Sequence, residues 1–117
     1  MTSTIHWLLE VSVNEGQLEA FEALIGEMVA ATQNEPDTLI YEWYFDEEKR
    51  TCQINERYRD SAATMAHLQS FGGFAERFMA AVTPVNFIVM GGPDMAVREG
   101  LAGLNPTYLS QAAGFSR

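Results

Sequence analysis

The chain of 117 residues fits a single domain, and its 47% hydrophobic and 20% charged residues are ordinary for a globular protein. Its formal net charge of −9 would repel the phosphates of nucleic acids and of anionic lipids, so neither a nucleic acid nor a membrane is expected as a partner. Cys52 is the only cysteine, the first residues lack a signal-peptide pattern, and no apolar run approaches the ~18 residues that cross a bilayer. We therefore expect a cytoplasmic protein.

Residues 4–13 predict a first strand, because apolar side chains occupy every second position. A helix follows from Leu18, with apolar side chains recurring every three to four residues. Asn14 is its candidate N-cap, with Gln17 reaching back to it. Pro36 ends the helix, because the residue before a proline is pushed out of the helical conformation.

Residues 38–45 and 51–58 are two further strands, joined by a polar turn that predicts a hairpin. A second helix should begin after Asp60, its candidate N-cap, and continue to about residue 82. The pair Gly72-Gly73 weakens this helix and favours a break or a kink. Residues 84–90 predict a fourth strand.

Residues 1–92 are therefore expected to form one domain, and residues 93–117 a C-terminal extension. Within the extension, residues 94–104 predict a short helix. The tail after it carries three large apolar side chains, which should dock on the body of the domain or on a partner. We expect the extension to cap a pocket or to cross a dimer.

The element order predicts an α+β fold, a ferredoxin-like βαββαβ arrangement with a four-stranded antiparallel sheet and both helices on one face. The odd-numbered positions of the first two strands, Leu39 included, are the more apolar and should face the helices. The opposite face mixes apolar and polar side chains: His6, Leu8, Glu10, Ile40, Glu42, Tyr44, Gln53, Asn55 and Arg57. That face predicts a partner that covers the sheet, although a monomer with this face in water remains the alternative.

Two runs of residues carry a family resemblance. The first is Val13-x-x-Gly16-x-x-x-x-Phe21, followed by Thr32-x-x-Glu35-Pro36 and then Tyr41. The second and more specific is Glu56-x-Tyr58-x-Asp60-x-x-Ala63-x-x-x-His67-Leu68. In their order and spacing, residues 4 to about 90 resemble the antibiotic biosynthesis monooxygenase (ABM) domain family.

This resemblance implies a dimeric α+β barrel, a homodimer joined through the sheet face with the two sheets face to face. It also implies an activity like that of the quinol monooxygenases of the family, which oxidise small aromatic substrates with dioxygen and use no metal or flavin cofactor. Other members degrade haem. Here the only histidines are His6 and His67, the first strand has no asparagine, and Gly72 stands where members often carry a second histidine. Haem degradation is therefore not expected.

Glu56 is the most informative single residue. It shares its side of the third strand with Tyr58, which points both side chains toward the helices, where a carboxylate is costly unless it is hydrogen-bonded or neutralised. A carboxylate of raised pKa in a pocket could take a proton from a phenolic substrate. The alternative is a structural carboxylate, held by backbone amides or by a tyrosine hydroxyl, that fixes the entry to the second helix.

His67 falls on the apolar stripe of the second helix and should face inward. Its ordinary pKa of ~6.5 suits a catalytic acid or base, but a histidine on such a stripe is more commonly a hydrogen-bonding core residue. Glu56, Tyr58 and His67 are thus the candidate catalytic residues. With only two histidines and one cysteine, the chain has none of the usual zinc spacings, so no metal is expected.

Aromatic side chains could wall a flat pocket between the sheet and the helices. The candidate substrate-binding residues are Trp7, Tyr41, Trp43, Phe71 and Phe74. Two functions follow: a cofactor-independent monooxygenase for a small aromatic or quinol substrate, or a non-catalytic dimeric domain that binds a small hydrophobic metabolite. A structural dimer without any cavity is a third possibility.

Overall fold

A computed structural model describes residues 3–117 of the chain, so the first two residues of the predicted domain 1–92 lie outside the described part. Its elements in chain order are β1 (Ile5–Val13), α1 (Leu18–Thr32), β2 (Thr38–Phe45), β3 (Thr51–Tyr58), α2 (Ser61–Phe71), α3 (Ala75–Ala81), β4 (Val82–Met90), α4 (Met95–Leu101), a 3-10 turn (Ala102–Leu104) and β5 (Thr107–Leu109). Within residues 3–117, no helix is long and apolar enough to cross a membrane.

The sheet has the strand order β2-β3-β1-β4-β5. The first four strands pair antiparallel in the ferredoxin-like order, as the sequence predicts. The prediction of a four-stranded, purely antiparallel sheet is wrong, because β5 adds to the free edge of β4 in the parallel direction and makes a five-stranded mixed sheet.

The fifth strand forms because the chain leaves β4, passes through α4 and returns along the same edge. Val89 pairs with Tyr108, and the Gly91 amide donates to the Leu109 carbonyl at an N···O distance of 3.0 Å. Gly91 has a φ of 116°, and a Cβ there would lie 2.5 Å from the Thr4 carbonyl oxygen. Only glycine fits this close approach to β1, which is where the extension turns away.

A bulge in β2 makes the predicted alternation wrong at one position, Leu39. Thr38 pairs with Tyr58 and Ile40 pairs with Arg57, so Leu39 is an extra residue in the ladder. It is 51% exposed, whereas the sequence pattern placed it under the helices. A bulge changes the side on which the next side chain points, which strict alternation does not anticipate.

Helix α1 begins one turn later than its predicted cap. Gln17 occupies the N-cap position, and its side chain makes no capping hydrogen bond, so Asn14 does not cap the helix. Asn14 instead accepts a hydrogen bond from the Thr83 hydroxyl at 2.7 Å and donates to the Ala80 carbonyl at 3.1 Å. It therefore ties the end of β1 to the start of β4.

The predicted second helix is two helices. Asp60 caps α2 as expected, since its Oδ1 accepts from the Ala63 amide at 2.8 Å. The helix ends at Phe71, where the glycine pair interrupts it, and α3 resumes at Ala75. Both helices and α1 pack on the side of the sheet that carries the apolar side chains of β1 and β3.

Candidate functional site

A cavity of about 310 Å³ lies between the sheet and the helices, on the face that the sequence predicts. The strands β1 to β4 form its floor, and the three helices α1, α2 and α3 together with the C-terminal segment form its walls. Its lining is largely apolar and comprises Trp7, Leu9, Met28, Tyr41, Trp43, Ile54, Glu56, His67, Leu68, Phe71, Phe78, Met79, Phe87, Gly100, Leu101, Gly103 and Leu104. Its volume suits a small molecule of one or two rings.

Glu56 is the carboxylate of this cavity. It lies opposite Trp7 on β1 and opposite Tyr41 on β2, so it is placed at the middle of the sheet, and only 6% of its surface is exposed. Two residues further along β3, the Tyr58 hydroxyl donates a hydrogen bond to its Oε1. Residues two apart on a strand point to the same side, and this brings the two groups together.

His67 connects Glu56 to a second carboxylate. Its Nε2 lies 3.3 Å from Glu56 Oε1, and its Nδ1 lies 2.9 Å from Glu35 Oε1. Glu35 follows the end of α1, and its Oε1 also accepts a hydrogen bond from the Thr38 hydroxyl at 2.8 Å. The imidazole therefore bridges two acids and is itself 4% exposed. We call Glu35, Glu56, Tyr58 and His67 the acid–base cluster.

The cluster shifts the pKa values of its members. Burial lowers the pKa of His67, but the hydrogen bonds and negative charges of Glu56 and Glu35 outweigh burial and raise it overall. Burial and the adjacent Glu56 charge raise the pKa of the Tyr58 hydroxyl well above its usual value. Burial, with the Glu56 charge, likewise raises the pKa of Tyr41. The cluster therefore stabilises the charged form of the imidazole and keeps both tyrosine hydroxyls protonated.

Most of the sequence-predicted site residues meet in the cavity. Trp7, Tyr41, Trp43 and Phe71 line it, together with Glu56 and His67. Tyr58 is fully buried behind Glu56 and packs against the Trp7 ring at a centroid distance of 4.9 Å. Phe74, in contrast, packs on the core beside the cavity and does not line it, because it stands in the break between α2 and α3.

The sequence prediction missed two parts of this site. In the sequence, Glu35 stands out only as part of the family motif and of the segment that ends the first helix. Its position directly before Pro36, which restricts its backbone, is the one local signal that its carboxylate is held in place. The other part is Leu101 and Leu104, which line the cavity from the C-terminal segment. Their apolar character was visible, but their position depends on the path of the chain after β4.

A second concavity, of about 690 Å³, lies between the opposite face of the sheet and the C-terminal tail. Two of its polar side chains interact there, since Arg57 Nη2 lies 3.4 Å from His6 Nδ1, and His6 Nε2 lies 2.5 Å from Asn55 Oδ1. The described residues that line it include no carboxylate. The smaller cavity, with its buried acid–base cluster, is therefore the candidate functional site.

Metal ligation has no support within the described residues, where no group of three His, Cys, Asp or Glu side chains could hold an ion. Cys52 lies fully buried in the core, away from the cavity lining. Burial raises the pKa of its thiol to about 11, which disfavours the nucleophilic thiolate at neutral pH.

A family model described as "Antibiotic biosynthesis monooxygenase" matches residues 4–83, which is more than half of the chain. The chain belongs to this family. The match ends inside β4, so α4 and β5 lie beyond the part that the ABM model covers. No curated protein is close enough to this ABM chain to count as a match.

Solved structures share the fold of this ABM protein. MupZ from Pseudomonas fluorescens superposes with a TM-score of 0.86 at 24% identity, over 99% of this chain and 96% of MupZ. Rv0793 from Mycobacterium tuberculosis gives a TM-score of 0.68 at 23% identity, over 80% of this chain and 99% of its own. SnoaB, a cofactor-independent oxygenase from Streptomyces nogalater, gives a TM-score of 0.67 at 13% identity, over 80% of this chain and 97% of SnoaB.

Proposed function

We propose that this protein is a cofactor-independent monooxygenase that acts on a small aromatic or quinol substrate in the cavity beneath the helices. The observation that carries the proposal is the buried Glu56 carboxylate in the wall of an apolar, aromatic-lined cavity, in contact with His67 and Tyr58. Membership of the ABM family and the fold shared with the oxygenase SnoaB support it.

The charges of the cavity favour an uncharged substrate. Among the described residues that line it there is no Lys or Arg, and the one group of the cluster that can carry a positive charge, His67, already lies between Glu35 and Glu56. A buried anionic substrate would leave its charge unpaired, which is costly in a medium of low polarity. A phenolic hydroxyl, in contrast, can donate a hydrogen bond to Glu56.

The proposed reaction begins with a proton transfer. Tyr58 and His67 both contact Oε1 of Glu56, so its Oε2 is the oxygen that receives the proton of the phenolic hydroxyl. The electron-rich phenolate gives one electron to dioxygen, and the two radicals combine as a peroxide at a ring carbon that carries a hydrogen. The ring hydrogen then leaves as a proton and the O–O bond breaks, so that the oxygen left on the carbon becomes a carbonyl group. That proton and one from the imidazolium of His67 together convert the departing terminal oxygen to water.

This sequence balances without a cofactor. The substrate itself supplies all the electrons, one oxygen atom stays on the ring, and the other leaves as water. The proton taken by Glu56 and the one given by His67 are exchanged within the acid–base cluster, so the protein is unchanged after one turnover.

Oxygen consumption tests this proposal directly. With a panel of one-ring and two-ring quinols, we expect uptake of one dioxygen per substrate, and a loss of turnover of about 10²–10⁴-fold in Glu56→Gln, the usual contribution of a general base. Glu19→Gln, which changes an exposed carboxylate on α1, away from the cavity and from the open face of the sheet, is the matched control. Absence of turnover above the uncatalysed rate across the panel would defeat the monooxygenase proposal.

The same cluster supports a second candidate, an acid–base reaction that needs no oxygen. The supporting observation is that proton donors, Tyr58 and His67, meet a proton acceptor, Glu56, at one atom of the cavity wall. Such a reaction would proceed unchanged under nitrogen. Binding of a ligand that is converted neither in air nor under nitrogen would instead indicate a non-catalytic domain that holds a small hydrophobic metabolite.

We also propose that the protein acts as a cytoplasmic homodimer, joined through the sheet face that the helices leave uncovered. The support is the exposure of large side chains on that face, among them Tyr44 at 56% and Leu8 at 37%. In this arrangement residues 1–92 form the catalytic domain, and the extension of residues 93–117 completes the cavity from one side.

A further inference from the structure

The cavity beneath the helices opens to solvent along one part of its wall. Of the residues that line it, three are exposed: Met79 at 47%, Gly100 and Gly103. The other lining residues are buried or half-buried. The opening therefore lies between α3, which carries Met79, and the C-terminal segment of residues 94–104.

The two exposed positions on the C-terminal side of this opening, Gly100 and Gly103, carry no side chain. A Cβ on Gly103 would meet nothing within 4 Å, and a Cβ on Gly100 would lie 3.1 Å from Cδ1 of Leu68, which itself lines the cavity. Leu101 and Leu104 cover the inner side of the same segment. A side chain added at residue 103 would project into open space at this exposed edge of the cavity, and one at residue 100 would press on Leu68.

Backbone conformation does not account for these glycines. Neither Gly100 in α4 nor Gly103 in the 3-10 turn has a positive φ, so both positions accept any residue as far as the backbone is concerned. Glycine within a helix costs about 1 kcal/mol relative to alanine. The feature that distinguishes both positions is the missing side chain at the edge of the cavity.

We propose that Gly100 and Gly103 form the entrance of the cavity and set the size of the uncharged, flat aromatic molecules that reach Glu56. The inference rests on the cavity being the binding site of the proposed function, but not on oxygen chemistry. Both glycines lie beyond residues 4–83, the part that the ABM model matches, whereas Met79 on the other side of the opening lies within it. The extension thus determines specificity for a site whose acid–base cluster belongs to the family domain.

Binding kinetics of 2-naphthol, an uncharged two-ring phenol, test the entrance. The chain has two tryptophans, Trp7 and Trp43, and both line the cavity, so their fluorescence reports a ligand in it. In Gly103→Leu we expect the association rate constant to fall about tenfold or more, because entry then requires the added side chain to move. In Met79→Ala, which widens the opening from the other side, we expect it to rise.

Gly92→Leu is the matched control. Gly92 is exposed, a Cβ there also meets nothing within 4 Å, and it does not line the cavity, so association should match the wild-type rate. Equal association rates in Gly103→Leu and wild type would refute the proposed entrance but not the proposed binding site. If the wild-type protein does not bind 2-naphthol, the proposals of a binding site and of its entrance are both refuted. If it binds 2-naphthol but consumes no oxygen with the quinols, only the monooxygenase proposal is refuted.

Discussion

Two groups that can hold a proton converge on one atom, Oε1 of Glu56. The Tyr58 hydroxyl and the Nε2 of His67 both contact it, and Glu35 binds the other nitrogen of the imidazole. A charged imidazolium can donate to both carboxylates at once, whereas a neutral one donates to only one of them. The protonation of His67 therefore controls how many hydrogen bonds the carboxylates of this buried cluster receive.

Stability should consequently depend on pH through His67. Because the folded state raises the pKa of His67, its contribution is fully present below the unfolded pKa of about 6.5 and is lost as pH rises through the folded pKa. We expect His67→Gln to lower the free energy of unfolding by about 1–3 kcal/mol near pH 6, the range for hydrogen bonds to charged groups, and by less toward pH 9.

Urea unfolding of both proteins between about pH 6 and pH 9 measures this difference. His6→Gln removes the other histidine, on the opposite face of the sheet, and serves as the control. A difference between wild type and His67→Gln that stays constant over that range would contradict the shared-proton cluster.

The side chains of the site differ in how far the sequence alone reveals them. Glu56 and Tyr58 are two apart on one strand, so their common direction follows from local alternation. Glu35 and His67 are separated by 32 positions and lie on different elements, so their hydrogen bond exists only after the end of α1 packs beside α2. No local pattern encodes a contact at that separation.

The elements around the site are held at their ends by polar side chains. Asp60 starts α2 and accepts the Ala63 amide at 2.8 Å, and Asp94 starts α4 and accepts the Val97 amide at 3.0 Å. These two helices carry His67 and Leu101, which both line the cavity. Their caps therefore position the walls of the site as well as the helices.

Removing a cap should loosen this arrangement by a predictable amount. We expect Asp60→Ala to lower the free energy of unfolding by about 1 kcal/mol, the usual cost of losing an N-cap side chain, and Asp60→Asn to retain most of it. Chemical denaturation of the three proteins gives both differences. If Asp60→Ala and Asp60→Asn were equally stable, the capping hydrogen bond would not be the cause.

Element boundaries were predictable where they rest on local chemistry. Asp60 and the Gly72-Gly73 pair gave the start and the break of the second helical region, because caps and glycines act on their own neighbours. Asn14 was misassigned, because it has a stronger partner in Thr83, far along the chain. Leu39 was misplaced by a bulge that only the pairing of β2 with β3 reveals.

At the scale of the molecule, the sheet has two different faces. One is covered by helices, and the other exposes Leu8 at the centre of the sheet, between its partners Asn55 on β3 and Ile88 on β4. An apolar side chain in that position is well placed for a second copy of the same face, with the two copies related by a two-fold axis.

A charge in this position should separate the proposed dimer. In Leu8→Glu, two carboxylates would be buried in the dimer without partners. We therefore expect dimerisation to become less favourable by at least about 3 kcal/mol, which raises the dissociation constant more than 100-fold. Sedimentation should then give the chain mass of 13.0 kDa in place of twice that value. Met95→Glu, at a 68% exposed position on α4, is the control, and a wild-type monomer would refute the dimer outright.

The sequence by itself determined the element order, the ferredoxin-like arrangement of the first four strands, the face that holds the cavity and the inward direction of Glu56, Tyr58 and His67. These follow from periodicities and caps that act over a few residues. Only the tertiary structure decided the rest: the parallel β5, the second carboxylate at Glu35, and the placement of Leu101 and Leu104 in the cavity wall. Each of these depends on packing between distant segments, because a strand edge, an imidazole or an apolar surface can accept many partners, and the assembled fold selects one.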